Sequence, residues 1–445
     1  MLALSGQAAA QVLAGTGCPV FHCTTEATGV MDQAIVQQVN TVTNNASLGT
    51  LKAQGCSGDG VRLSCLFATD TTVGSGKGTL KVLDATTLQP IWGSLDAPNS
   101  FNLDPASSAG GQVPVVFADG QVAAGDASSL VRYGVTGGVT GTLAVAGKGN
   151  NLGLTPISDT YGVVSQTDGV LTLVNLSTWQ NAGSLTLRDP NTMAPVALVS
   201  PSSATANVLY AVGGNARSNT GYLFAVVVDP TTKRLKVRST FTFVGKSGAS
   251  PVVVTPATSG LANNLVLLHA PGLPGDAQAQ DRLLGLSDTG AGFTTLWSVD
   301  LAQGLAVSPT LDENTKTLFY VFGADYRIFQ HSYLTGAPVS TFDIRSIGGF
   351  PVSFTLNSHL GAVQTGTAFT MLLAGAVSAT PGSNGQYVMA FSPNPQAPSI
   401  VWSAKIRSRS DAYTGAWNLA PSGTSGAYCP VVMGSSSGIT RICDF

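Results

Sequence analysis

The chain predicts an all-β fold, a β-propeller of eight four-stranded blades with seven as the alternative count. Three observations lead there. A degenerate segment of about a dozen residues recurs, running from a short apolar strand through a small-residue turn into a second strand that ends in Trp or a large apolar residue, which is the pattern of a hairpin. Successive copies end ~45 to 60 residues apart, the spacing of one four-stranded blade per repeat. Composition agrees: of 445 residues 52 are Gly and only 10% are charged, against about 25% charged in an average soluble chain. Such a surface is solvated by Ser, Thr, Asn and Gln, which suits a secreted β protein better than a cytosolic enzyme.

The clearest copy runs from Leu80 to Trp92, with Leu83-Asp84-Ala85-Thr86-Thr87 at its turn. Weaker copies lie at Ser129 to Thr142, Leu171 to Leu185, Leu223 to Ser239, Leu283 to Trp297, Ile328 to Phe342 and Val388 to Trp402. Asp229-Pro230-Thr231-Thr232-Lys233, Asp288-Thr289-Gly290 with Trp297, and Leu334-Thr335-Gly336 keep parts of the same turn. This pattern resembles the repeat of the pyrroloquinoline quinone-type (PQQ-like) propellers, in which an apolar strand runs into Asp-Ala-x-Thr-Gly and then a strand ending in Trp. Many copies here have lost the Asp, the Gly or the Trp, so the resemblance carries the scaffold alone. Quinone dehydrogenases of that family are typically longer, commonly carry an adjacent Cys-Cys pair and hold calcium with Glu, Asn and Asp. No Cys-Cys pair occurs here and no such ligand set can be matched.

A blade reads as innermost strand, two middle strands and outer strand, and residues 112 to 143 show all four compactly. Ser250 to Val254, Val307 to Thr310 and Phe350 to Ser353 have the look of innermost strands, with Pro tolerated where a strand begins. After Trp402 three strands follow, around Trp417, Val431 and Thr440, with no fourth. The missing outer strand is expected from Pro19 to Cys23, closing the ring from the opposite end of the chain. Val30 to Val42, with Val30, Met31, Ala34, Ile35 and Val39 apolar, is compatible with a short helix or, from Ile35, with strand alternation. Residues 18–445 are thus one propeller domain, and 1–17 an N-terminal extension. Met1 to Ala14 is apolar but lacks the basic start of a signal peptide. Either a leader lies upstream or this stretch belongs to the mature protein.

Six cysteines lie near the ends: Cys18, Cys23, Cys56 and Cys65, then Cys429 and Cys443. An even number placed so points to disulfides that clamp the ends of the ring in an oxidising compartment, extracellular or, in a bacterium, periplasmic. Cys56 and Cys65 flank a strong turn and form the natural local pair. Cys429 and Cys443 then bond to Cys18 and Cys23, tying the N-terminal strand to the last blade, or to each other. The spacing of Cys18, His22 and Cys23 is not that of a zinc finger.

No catalytic constellation is legible, and no cofactor or metal is expected. The histidines (His22, His269, His331, His359) are scattered, and His331 reads as a packed strand residue. Asp312-Glu313 reads as a solvated turn. Asp84, Asp229 and Asp288 read as turn formers that accept backbone N–H groups. Asn45 and Asn175 match the N-glycosylation pattern, making a glycan an expected partner. A net charge of −2 without a basic cluster argues against nucleic acid, and no apolar run reaches the ~18 residues of a membrane span. Three loops, Gly213 to Gly221, His269 to Arg282 and Ala374 to Gln386, all join second to third strands and so share one face, where binding usually lives.

These readings converge on a non-enzymatic extracellular propeller, a structural or binding module that self-assembles into a filament or another homo-oligomer. The apolar, uncharged first ~17 residues would add to a neighbour's blade edge, since backbone pairing needs no sequence match. The alternatives are a quinoprotein-type dehydrogenase and a bacterial envelope assembly scaffold.

Overall fold

The computed structural model describes residues 13–14, 18, 23–24, 26–44, 52–68, 77–92, 101–102, 113–125, 128–148, 151–204, 207–229, 231–276, 279–305, 307–322, 325–347, 354–356, 360–377, 385–406, 413–422, 426–434 and 438–444. They form eight sheets arranged as the blades of a propeller, seven of them built on four successive antiparallel strands and the eighth on three with a strand from the N-terminal region. The innermost strands are, in ring order, Lys52–Gly58, Val115–Val116, Asn151–Pro156, Ser202–Ala204 (with Ala197–Leu198), Val252–Val254, Thr310–Asp312, Gly361–Thr365 (with Phe354–Leu356) and Tyr413–Pro421. Phe350 to Ser353, expected to begin the seventh, lies outside the described residues.

The seven recurring hairpins are the third and fourth strands of blades 1 to 7: Lys77–Asp84 with Pro90–Trp92 in blade 1, for example, and Arg282–Asp288 with Phe293–Asp300 in blade 5. Third strands are buried on both faces, as in Val170–Asn175, while outer strands alternate toward solvent, as in Phe293–Asp300. That difference is why the hairpin, with its polar turn between a wholly apolar and an amphipathic run, was the legible unit. The cores lie between neighbouring blades; Tyr210, Leu284 and Leu286 share one such cluster across blades 4 and 5.

Outer-strand tryptophans fasten neighbours together. Trp297 of blade 5 donates Nε1–H to the Tyr333 carbonyl in the hairpin turn of blade 6 at 2.9 Å. Gly336 gives that indole room: a Cβ there would lie 2.8 Å from the ring. Near the axis small polar side chains do the same work. Ser308 Oγ donates to Ser250 O at 2.9 Å and Thr310 Oγ1 to Leu360 O at 2.7 Å, while Ser57 and Ser202 donate to Pro114 O and Pro251 O. A short hydroxyl side chain spans the narrow gap at each of these points with its own O–H paired.

The ring closes with an N-terminal strand, though not the expected one. Blade 8 has Tyr413–Pro421, Tyr428–Gly434 and Gly438–Cys443, and its outer strand is Thr41–Asn44, antiparallel to Gly438–Cys443. Pro19 to Cys23 does not fill that place, which Thr41–Asn44 occupies; Cys18 and Cys23 are instead joined to each other with their Cα atoms 4.1 Å apart, and residues 19–22 lie outside the described residues. Val30 to Val42 is not helical either. Met31, Gln33 and Ile35 are buried while Asp32 and Ala34 are exposed, so the segment is extended with a period of two.

All six cysteines pair locally, Cys18 with Cys23, Cys56 with Cys65 and Cys429 with Cys443. No disulfide crosses the seam, contrary to the expectation that the N-terminal strand is tied covalently to the last blade. The bonds instead brace the parts that meet there: the first two strands of blade 1, the second and third strands of blade 8, and the segment beside them.

Candidate functional site

Two features could bear function, the axial bore and the face carrying the loops between second and third strands.

The innermost strands turn their free edges toward the axis, and a strap from the N-terminal region takes several of them. Ala14 N–H donates to Val116 O in blade 2 at 3.2 Å, and Leu13 bridges Phe117. Cys18 O accepts from Gly58 N–H in blade 1 at 2.8 Å. Glu26, Thr28 and Gly29 carbonyls accept from Val253, Leu311 and Ala362 of blades 5, 6 and 7 at 2.9, 3.1 and 3.0 Å. Val30–Met31 then runs parallel to Gly361–Thr365. From there the chain leaves along the seam of blades 7 and 8: Trp402 Nε1–H donates to Val36 O at 2.9 Å, and Ala34 O accepts from Tyr428 N–H. It ends in the rim strand Thr41–Asn44. The strap therefore occupies inner edges where an axial ligand would sit, and Leu13 and Ala14 rest on their own ring. The premise that the ring offers no internal slot for the extension is thus corrected; residues 1–12 lie outside the described residues.

Charge gathers where strap and blade 6 meet. Glu26 and Glu313 are the chain's only glutamates. Burial raises the Glu313 carboxyl above the usual carboxylate range, Glu26 raises it further, Lys316 opposes, and Asp312 and Asp32 add to the rise. Asp312 is buried and accepts from Asn314 N–H, Thr315 N–H and the Thr315 hydroxyl. Asp312-Glu313 is therefore not the solvated pair that the sequence suggested.

The loop face carries the three elaborated connections as expected, since all join second to third strands. Gly213 to Gly221 is an extension of paired strands around a four-residue turn. On blades 5 and 6 this face holds a run of ion pairs: Arg282 with Asp276 and Asp300 at 3.2 and 3.1 Å, Arg327 with Asp325 at 3.1 Å, and Arg345 with Asp343 at 2.8 Å. Arg345 lies over the Tyr326 ring, 3.0 Å from its centroid, with Arg327 on the same ring at 5.7 Å. Arg and Tyr fixed in place, with their entropy cost already met, are what protein interfaces favour.

His269 sits beneath this face. Nε2 lies 3.0 Å from Asp281 Oδ1 and 3.3 Å from Leu305 N, and Nδ1 lies 3.4 Å from Ser247 Oγ. The residue types are those of an acyl-transfer triad, yet Ser247 is 1% exposed and its hydroxyl donates to Ala249 O. Buried so, it joins the blade 5 loop to the chain entering blade 6. Burial pushes the imidazole below its ordinary value, against the opposing pull of Asp281.

The other expected residues are scattered. His331 is packed in blade 6, Nδ1 3.0 Å from Gly336 O and Nε2 3.2 Å from the Tyr320 hydroxyl. His22, His359 and Asn45 lie outside the described residues. Asp84 and Asp229 accept from the backbone N–H groups two and three residues on, and Asn175 does the same from Ser177 and Thr178 at 3.0 Å. Its glycosylation pattern coincides with this turn motif. Asp288 does more than form a turn: it also accepts from the Tyr210 hydroxyl at 2.6 Å and from Arg238 of blade 4. That inter-blade network left no sequence signal, because its members are 78 and 50 residues from Asp288. Cys429, Cys443 and Asp444 are close together, but the sulfurs are spent in a disulfide and offer no thiolate to a metal.

No family model and no curated protein matches the chain. Solved structures do. The C-terminal WD40 domain of Sif2 is similar at 11% identity over 91% of this chain and 99% of that one, with a TM-score of 0.54. The WD40 domain of Toxoplasma gondii coronin is 11% identical over 83% and 91%, with a TM-score of 0.48. What is shared is the fold. No family model stands behind the PQQ-like resemblance. Among the described residues no helix is long and apolar enough to cross a membrane.

Proposed function

We propose that this propeller is an extracellular structural and binding module that associates with copies of itself. The observation that carries the reading is the strap on the inner edges of blades 1, 2, 5, 6 and 7. A propeller that gives its inner edges to its own chain leaves its outer faces for partners, and the ordered Arg327, Tyr326 and Arg345 cluster is the kind of surface that proteins recognise. Three disulfides in a chain of 445 residues favour an oxidising compartment. The turn and tryptophan pattern supports a PQQ-like scaffold. Glycan at Asn175 fits the same compartment.

Light scattering across a concentration series, with electron micrographs of the native material, tests the reading. It expects mass to rise with concentration and to fall back in Tyr326→Ala or Arg345→Ala variants. A monomer at every concentration would overturn it, and dye-linked alcohol oxidation after adding quinone and calcium would replace it with a quinoprotein.

A further inference from the structure

The inner edges of blades 5, 6 and 7 hold the strap by its backbone carbonyls, and its Ala27, Thr28 and Met31 side chains are buried. Val253, Leu311 and Ala362 donate to three carbonyls within four strap residues. Pairing of this kind ignores most side chains but dictates the path. Here the path is unusual: Ala27 and Gly29 both lie in the left-handed region, at φ 60° and 73°. At Gly29 a Cβ would stand 2.8 Å from Thr310 Oγ1. A generic extended peptide does not follow that course, and a glycine is needed at one point of it. The sequence that meets both demands by construction is the same strap on another copy.

Two more observations make the strap removable. Glu26 and Asp32 lie near enough to Glu313 to interact electrostatically, with Lys316 opposing in part, so like charges weaken docking. Beyond Met31 the strap joins the rim strand Thr41–Asn44 through residues 32–40, which are held at the seam by the Ala34, Val36 and Asn40 backbone; once released there, these nine residues reach about 30 Å.

Building on the self-association reading, we infer that the strap exchanges between copies: residues 24–31 of one chain occupy the inner edges of blades 5 to 7 of another. Such a contact is head-to-tail and propagates into a ring or an open chain. Docking within one chain competes through its high effective concentration, so exchange grows with protein concentration.

Val30 and Ala362 are direct partners in the parallel pair, as are Met31 and Val363, and they supply the test. Full-length Val30→Cys protein is mixed with Ala362→Cys protein under mild oxidation, alongside light scattering; Met31→Cys with Val363→Cys repeats it should one variant fold poorly. Exchange gives a disulfide-linked dimer of the two different chains that increases with concentration, and the double variant Val30→Cys/Ala362→Cys, locked within one chain, keeps only the association of the Tyr326 and Arg345 face and gains less mass with concentration. If mass rises with concentration yet the mixed chains never cross-link, or the locked variant assembles unimpaired, exchange is wrong while self-association stands. If the unmodified chain stays monomeric throughout, both fall.

Discussion

Lys233 shows how one residue carries the history of a turn. It is exposed and sits at φ 55°, a conformation that costs a side-chain-bearing residue about 1–2 kcal/mol. Leu88 and Trp179 occupy the equivalent fifth place of their turns, at φ 58° and 54°, and Gly336 keeps the glycine. The faded glycine of the repeat is therefore a loss of residue type without a loss of conformation. Lys233→Gly should raise stability by about 0.5–1 kcal/mol, the strain relieved less the added freedom of the unfolded chain, read as a shift in urea midpoint. Gly336→Ala should do the reverse and cost about 1–3 kcal/mol, because the new Cβ also meets the Trp297 indole.

His269 gives the residue scale its pH dependence. Burial lowers its proton affinity in the folded state, so the unfolded chain binds more protons once pH falls to the ordinary histidine range near 6.5. The stability contributed by the neutral, buried ring is present above that range and is lost as pH drops through it. Thermal melts should show a decline between about pH 7 and 5 that His269→Gln flattens. An identical decline in that variant would place the titration elsewhere.

At the scale of elements, the tryptophan-to-turn contacts explain why blades stay in register around the ring. Trp297→Phe keeps the apolar body but leaves the Tyr333 carbonyl without its donor, a loss of about 1–3 kcal/mol. A change near zero in denaturant unfolding would show that the indole hydrogen bond is not what joins blades 5 and 6. The same scale shows what could be read from sequence. Seven hairpins were legible because each sets a buried apolar strand, a turn led by Asp, Asn or a small residue, and an alternating outer strand next to one another along the chain. Innermost strands were legible where Ser-Pro or Pro-Val marked their starts. The strap was not, because it docks by carbonyls that any residue possesses. Its few buried side chains, Met31 and Ile35 among them, fall four apart and so look helical. The rim strand Thr41–Asn44 is four residues long with one buried neighbour set around Val42, too short to stand out from Pro19 to Cys23. The His269, Asp281 and Ser247 joint forms only once the blade 5 loop folds back on its own blade, and the Tyr210, Asp288 and Arg238 network is a product of blade stacking, which brings residues 50 and 78 apart together.

At the scale of the whole molecule, the ring is closed by backbone pairing and core packing, and the disulfides brace its ends locally. In the chain-entropy account a loop of 6 to 15 residues yields about 2–3 kcal/mol per bond, less than the bond across the seam would have given. Peptide mapping without reduction should recover Cys18–Cys23, Cys56–Cys65 and Cys429–Cys443. Reduction should lower the melting temperature while leaving the Thr41–Asn44 pairing intact below it.

The strap is the architectural claim on which the reading of function stands, and amide hydrogen exchange resolved to single residues tests it most directly. The Val253, Leu311 and Ala362 amides lie on strand edges that face the axis and have the strap carbonyls as partners. In the full chain they should exchange as slowly as the middle strands of their blades, and in a chain lacking residues 1–31 they should exchange faster by orders of magnitude while those middle strands remain protected. Rapid exchange at these three amides in the full chain would contradict a strap on these inner edges.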